Sequence, residues 1–456
     1  MTRRIVVVAN RLPASWDGER WVTSPGGLVR ALEPVLQKTG GSWVGWSGTT
    51  GEPPQPFEHD GIEQRPVSLT EEELEHFYYG FCNSALWPLY HDAVVSPEFH
   101  RHHWRPYRGV NERYAEVAAG SLQPGDIAWI QDYQLQLVPG MLRDIRTDVT
   151  IGFYLHIPFP PIELFSRLPW RRQIIEGLLG ADVLAFQTRA SVQNFSRAAR
   201  RFAGVEAVSS RELKWDNRVI KLQRAPIAID TDQFERLARS EGVQRRATEL
   251  RRELGNVEHI FLGVDRLDYT KGIDLRLKAY DGLLEQTLDQ PRRYAFVQVA
   301  VPSREHVAAY QELRSEIEQL VGRINGTYGA PGWVPVSYLY RSLPVEELVA
   351  YYVAADVMLI TPLRDGMNLV AKEYVACRGG SPGVLVLSEF AGAAEQLRSA
   401  VIVNPHDVDS VTDAMRMATE MNYGEARIRM RRLRRTVQRE DVFKWASDCL
   451  AELEAF

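Results

Sequence analysis

The stretch VMLITPLRDGMNLVAKEY, Val357 to Tyr374, decides the fold. Its first part, Val357 to Leu363, is almost continuously apolar, the pattern of a parallel strand buried on both faces. Pro362 and Gly366 break that run, and Asn368 to Cys377 reads as the helix that follows. A strand, a glycine turn and a helix start aim unpaired backbone N–H groups and the positive end of the helix dipole outward, at the carboxyl end of the strand. Nucleotides usually bind at that end of an open α/β sheet. Arg364, Asp365, Lys372 and Glu373 flank the turn, where packing alone would place apolar or neutral residues, so the stretch reads as functional.

The same alternation recurs along the chain. Before Pro226 the apolar runs are IVVVANR (5 to 11), SWVGWSG (42 to 48), IAWIQDY (127 to 133), TIGFYLH (150 to 156) and VLAFQT (183 to 188). After it come IFLGVDR (260 to 266), RYAFVQVAV (293 to 301), VSYLYR (336 to 341), VMLITPL and GVLVLSE (383 to 389). Runs separated by helical or irregular segments predict an α/β protein with mainly parallel sheet. At 456 residues the chain exceeds one ordinary core, so two lobes of roughly 200 residues each are expected. The boundary falls near Pro226, giving lobes over 1–226 and 227–440. Apolar residues at helical spacing over 441–456 predict a last helix that packs back towards the N-terminal lobe. No repeat, low-complexity tract or flexible linker is visible, so two Rossmann-like lobes facing a cleft are expected.

Composition narrows the class. Apolar residues at 45% and charged residues at 25% describe a soluble globular protein, and a net charge of −5 offers no general attraction to nucleic acid or anionic membrane. Any anionic ligand must be held by local Arg and Lys. Cys82, Cys377 and Cys449 are far apart, which suits a reducing cytoplasm. No run approaches the roughly 18 apolar residues of a membrane span, and IVVVA after Thr2-Arg3-Arg4 is too short for a signal-peptide core. His100, Arg101, His102 and His103 lie side by side with a cation between them, which is poor metal geometry, so the stretch reads as a solvated loop face and no metal site is assigned. The aromatics from Phe77 to Arg108 read mainly as core or lid packing. The arginines of Ala426 to Arg439 read as a solvated helix face paired with nearby acids.

Chemistry should sit at the strand ends. Asn10 and Arg11, Asp132 and Tyr133, His156, and Arg266 with Asp268 and Lys271 each follow an apolar run. In open α/β sheets such ends line one crevice, with Arg11, Asp132 and His156 from the first lobe and Arg266, Lys271, Arg304 and Asp365 from the second. VDRLDYTKGI (264 to 273) carries a guanidinium and an ammonium that could both reach a diphosphate. It is not a P-loop, and no Mg²⁺-binding cluster sits beside it. A nucleotide leaving group neutralised by Arg and Lys without metal fits these residues.

VVVANRLP, PGGL, WVGWSG, FCNSALWPLYH, WIQDYQL, FYLHIPFP, GVDRLDYTKGI, PSRE, GRINGTYG, TPLRDGMNLVAKEY and GVLVLSEFAGAA resemble, in this order and over nearly the whole chain, the motifs of the trehalose-6-phosphate synthase family. The resemblance implies the glycosyltransferase B fold and a metal-independent retaining glucosyltransferase without cofactor, acting on nucleotide-glucose, UDP-glucose by default and GDP- or ADP-glucose as alternatives, and on glucose 6-phosphate. On the donor side it implies Gly26 and Gly27 as backbone donors, Arg266 and Lys271 as the diphosphate clamp, Asp365 with the backbone of Gly366, Met367, Asn368 and Leu369 on the transferred glucose, and Val370 as a further donor-binding residue. Glu373 would accept from the ribose hydroxyls, and Leu343 would lie near the base. On the acceptor side Arg11, Tyr78 and Arg304 resemble the phosphate binders, with Asp132 on a hydroxyl, Trp87 beside the sugar and His156 against the reacting sugar. Arg266, Lys271, Asp132 and His156 are thus the expected catalytic set. Gln131 and Gln134 depart from the more familiar HDYHL pattern, which should alter hydrogen bonding around Asp132 without abolishing the site. The implied partners are small molecules, with room for a homo-oligomer and with a separate phosphatase acting on the product. Two other readings stand beside this one: a relative that uses glycerol 3-phosphate or a cyclitol phosphate as acceptor, and a non-catalytic sugar-phosphate sensor.

Overall fold

Strands that are apolar on both faces can only pair with one another and be covered by helices, and here they close two separate sheets. The computed structural model describes residues 3–16, 20–23, 29, 32–33, 36–37, 39–289, 294–305 and 307–456. The chain divides into two compact units, one formed by Met1–Ile227 with Val442–Phe456 and the other by Ala228–Asp441.

The sheet of the first unit runs, in spatial order, Ile62–Val67, Ser42–Trp46, Ile5–Arg11, Ile127–Gln131, Thr150–Leu155, Val183–Phe186 and Arg218–Arg224. These strands are all parallel. Short antiparallel strands finish both edges. The chain therefore winds outward from its first strand, then crosses back to wind the other way. That reversal falls between Ile5–Arg11 and Ile127–Gln131, whose register sets Ile5 opposite Ile127 and Val8 opposite Ile130. Asn10, Arg11 and Asp132 leave the sheet at the same end, where a doubly wound sheet opens a crevice.

The second unit repeats the winding with Val336–Leu339, Tyr294–Val301, His259–Arg266, Val357–Ile360, Val384–Ser388 and Val401–Val403, all parallel. Its reversal lies between His259–Arg266 and Val357–Ile360. The latter strand stops short of the expected Leu363, because Pro362 has no N–H to give to a neighbour. The helix Leu369–Cys377 follows, and Asn368, expected inside it, is instead its N-cap, accepting from the Ala371 amide at 3.1 Å.

Two further elements matter for function. Thr70 and Glu73 form a capping box that starts a short helix, and the chain continues as a π-helix over Leu74–Leu86, a form that often marks functional positions. The last helix, Val442–Glu454, belongs to the first unit. Its Trp445 ring lies 5.5 Å from that of Trp129 and edge-on to Tyr154 at 5.2 Å, and its indole N–H donates to the Ala225 carbonyl at 3.2 Å. The arginine-rich helix Tyr423–Arg439 sets Arg434 on Glu235 at 2.7 Å and Arg429 on Glu425 at 2.9 Å, as a solvated face paired with acids requires.

Trp445→Ala should destabilise the first unit by about 3–5 kcal/mol, since a buried tryptophan is removed from a ring cluster. Urea unfolding followed by tryptophan-independent circular dichroism will read this as a lower midpoint; an unchanged midpoint would show that the helix adds nothing to the core.

Candidate active site

In the second unit the winding reversal is built from charges. Arg276, on the helix Ile273–Gln286, is fully buried, and its guanidinium reaches Asp265 at 2.7 Å, Gln298 at 3.0 Å, Thr361 at 2.9 Å and the Lys271 carbonyl at 3.3 Å. One side chain thus joins the strands His259–Arg266 and Tyr294–Val301 to the end of Val357–Ile360. Above it, Lys271 Nζ meets Asp365 at 2.6 Å, and the Asn368 amide donates to the same carboxylate at 3.2 Å. The turn that carries Asp365 is tied down by the next loop: the Asp365 amide donates to the Phe390 carbonyl at 3.2 Å, and the Ala393 amide to the Met367 carbonyl at 2.8 Å. Gly392 sits so close to the Gly366 carbonyl that a β-carbon there would collide with it. Asn368 has φ 77°, a left-handed conformation that asparagine tolerates, and this turns the chain into the helix Leu369–Cys377. Leu369 and Val370, half-buried, occupy the first turn, where amides have no intrahelical acceptor.

Arg266 is exposed at its strand end. Beneath it Asp268 is fully buried, and although burial works to raise its pKa, the charges of Arg304, Arg266 and Lys271 hold the carboxyl well below the usual range. Arg304 lies 3.2 Å from Asp268, bonds to the Tyr310 hydroxyl, and has φ 49°. Its guanidinium faces inward in this conformation, so the expected contact with an acceptor phosphate requires it to turn from Asp268. Glu373, half-buried, accepts from the Tyr352 hydroxyl at 2.8 Å. Leu343 is half-buried in the loop after Val336–Leu339.

The first unit uses burial and backbone geometry more than charge. Asp132 adopts φ 71°, a strained conformation of order 1–3 kcal/mol for a non-glycine residue, held by its amide donating to Tyr154 O at 2.8 Å. Its carboxylate accepts the His156 amide at 3.1 Å. The His156 ring lies 3.0 Å from Gln131 Oε1, and burial pulls its pKa down to about 4. The imidazole is therefore neutral near pH 7, with Nε2–H donated to Gln131 and Nδ1 unprotonated. This is what the unusual Gln131 does: it fixes the tautomer. Gln134 is buried, with its side-chain oxygen unpaired among the described residues.

The Arg11 guanidinium lies 4.5 Å over the Trp46 ring, close enough to Tyr79 to act on that hydroxyl. Tyr78 is half-buried on the π-helix, edge-on to Tyr79 at 5.4 Å. Trp87 is buried, 5.7 Å from the Tyr133 ring and 4.1 Å from that of His91. Gly26 and Gly27 lie outside the described residues. The histidine stretch is not a loop. His100 stands at the N-cap position of the helix Arg101–Ser121 without a side-chain cap bond, and the helix carries His102 and His103 in its first turn.

Two open parallel sheets of this order, each with polar side chains at its reversal, are the build of glycosyltransferases of the B fold. The chain belongs to glycosyltransferase family 20, whose family description matches residues 3–455. It is 51% identical over 467 residues to the trehalose-6-phosphate synthase of Mycolicibacterium smegmatis, covering 100% of this chain and 93% of the relative. Among solved structures, an E. coli protein of the trehalose-6-phosphate group bound with UDP-2-fluoro glucose superposes with a TM-score of 0.93 at 36% identity, over 99% of both chains. The UDP-forming alpha,alpha-trehalose-phosphate synthase of Burkholderia xenovorans in complex with glucose-6-phosphate gives a TM-score of 0.91 at 33% identity, again over 99% of both chains.

Two outcomes test this geometry. Arg276→Met should cost the second unit about 3–5 kcal/mol in urea unfolding, because the Asp265 carboxylate is left buried without its partner, and the double variant Arg276→Met/Asp265→Asn should recover part of that loss. His156 has a folded pKa below its ordinary 6.5, so the unfolded chain takes up the proton first as pH falls. The stability of the first unit should therefore drop by up to about 3 kcal/mol between pH 6.5 and pH 4 from this residue alone, and His156→Gln should flatten that part of the pH profile.

Proposed function

We propose that this chain is an α,α-trehalose-6-phosphate synthase, which transfers glucose with retention of configuration from UDP-glucose to glucose 6-phosphate, with no metal ion needed in the transfer step. The observation that carries the reading is the Lys271–Asp365 pair at the reversal of the second sheet, beside the first turn of Leu369–Cys377 and within a chain 51% identical to a named synthase. An ammonium, a guanidinium at Arg266 and first-turn amides suit a diphosphate, and a carboxylate at Asp365 suits sugar hydroxyls. Two protein cations can offset the charge of the leaving group, which supports a metal-independent step.

The second unit would bind the donor through Arg266, Lys271, Asp365 and the turn from Gly366 to Val370, with Glu373 on the ribose and Leu343 near the base. The first unit would bind the acceptor through Arg11, Tyr78, Asp132 and Trp87, with Arg304 as a further phosphate contact. In the reaction the bond from the anomeric carbon to the diphosphate oxygen breaks, the acceptor hydroxyl forms its bond on the same face, and its proton passes to the departing oxygen. No enzyme nucleophile is needed. Arg266 and Lys271 stabilise the charge that builds on the leaving group, an electrostatic effect larger in the transition state than in the ground state. Neutral His156 can orient the sugar but holds no proton at Nδ1 to give. Cys82, Cys377 and Cys449 are buried and form no disulfide among the described residues, which suits a reducing compartment such as the cytoplasm. The product is a phosphate monoester, so a separate phosphatase would consume it.

Arg266→Ala should lower turnover with UDP-glucose and glucose 6-phosphate by about 10²–10³. The side chain is exposed, but its charge also helps hold the buried Asp268 carboxylate, so stability should fall by about 1 kcal/mol while the variant stays folded. Release of UDP and a melting curve measure both, and normal turnover in the folded variant would remove the clamp from the mechanism. Comparing UDP-, GDP- and ADP-glucose at fixed acceptor should rank UDP-glucose first by kcat/KM.

A further inference from the structure

Four imidazoles meet where the π-helix Leu74–Leu86 crosses the start of the helix Arg101–Ser121. One nitrogen from each of His76, His102 and His103 lies within 4.8 Å of the others. The His102 and His103 rings are 4.1 Å apart, and His76 stands 5.4 Å and 5.1 Å from them. His100 stacks beside His102 at 5.1 Å, with its Nε2 3.5 Å from Glu98. Nothing in the glucosyl transfer uses these rings.

Their hydrogen bonding is incomplete. His76 Nδ1 and His103 Nδ1 are both buried with no partner among the described residues, and a buried polar atom without a partner is destabilising. Unpartnered imidazole nitrogens are the groups that a metal ion binds. The position of His103 is also built into the fold: its ring lies over Gly80, one helical turn beyond His76, where any β-carbon would collide with it.

We propose that His76, His102 and His103 form a binding site for a divalent transition-metal ion of the zinc class, with the fourth position open to water on the exposed His102 side. All-nitrogen ligation by imidazole selects zinc, nickel or copper over magnesium or calcium. Zinc at about 2.0–2.1 Å from each nitrogen would need ligand atoms about 3.3 Å apart, so the rings must close by at most about 1.5 Å, within reach of side-chain rotation. The bound ion fastens the π-helix, which carries Tyr78, to the helix behind it. It is a structural brace, and no step of sugar transfer passes through it.

The test is zinc binding to the chelator-stripped full chain, followed by calorimetry against a competing chelator, with cobalt(II) absorption as a report of geometry. The wild type should take up one equivalent, show a tetrahedral cobalt spectrum, and melt about 5–10 °C higher at a hundredfold excess of zinc over Kd. His102→Ala, which alters an exposed side chain, and His76→Gln should each weaken binding by at least the roughly 10- to 100-fold that loss of even an outer partner costs a metal site. Both should abolish the cobalt bands while leaving circular dichroism unchanged. Absence of zinc uptake by the wild type, or equal uptake by a folded His76→Gln/His102→Ala variant, overturns the site.

Discussion

A guanidinium with no water around it must find every partner inside the protein, and Arg276 finds them at three strands and a loop. It holds Asp265 at the tip of one strand, Gln298 in its neighbour and Thr361 at the end of a third, and it also accepts the geometry of the loop by binding the Lys271 carbonyl. A buried ion pair adds little net stability compared with well-packed apolar groups, but it tolerates very few alternative arrangements. Its value lies in position. Lys271 and Asp365 emerge on either side of this anchor, so their 2.6 Å contact follows from the pairing beneath them.

The two units share one winding order and solve the same problem with different chemistry. At the reversal of the second sheet, charges of both signs are packed within bonding distance: Lys271 with Asp365, and Arg304 with Asp268. At the reversal of the first, one carboxylate is held by a strained backbone and a neighbouring imidazole is kept neutral by burial. Paired charges of both signs suit a ligand that carries its own charge, whereas a single rigidly held carboxylate beside a neutral ring suits hydroxyl groups that must be placed before they react. The fold fixes where a ligand sits; the side chains at the strand tips decide what kind it is.

The strands and their polar tips were legible because burial on both faces writes a long apolar run, and the residue that ends such a run is visible at once. Arg11, Asp132, Arg266 and Asp365 all stand where that rule placed them. Arg276 was not legible, since an arginine on a helix reads as solvated until the strand beneath it is known to offer a carboxylate. Nor was the inward turn of Arg304, which depends on Asp268 and Tyr310 arriving from other parts of the chain. The histidine stretch reads as a solvated loop for a similar reason: adjacent polar positions give no helical periodicity, and only the fold shows that they open a helix and that His76 approaches from a second one. The π-helix left no signal either, because its extra residue per turn blurs the periodicity that marks an ordinary helix.

The return of Val442–Glu454 to the first unit means that this unit is not contiguous in the chain. During synthesis its sheet leaves the ribosome first, while the tryptophan that covers Trp129 and Tyr154 is made only after the whole of the second unit. Until then that face of the sheet lacks part of its cover, and the whole of Ala228–Asp441 has time to fold as an insertion between two parts of its neighbour. Completion of the first unit thus waits on synthesis of the second, and a chain truncated at Asp441 would carry an intact second sheet and an unfinished first.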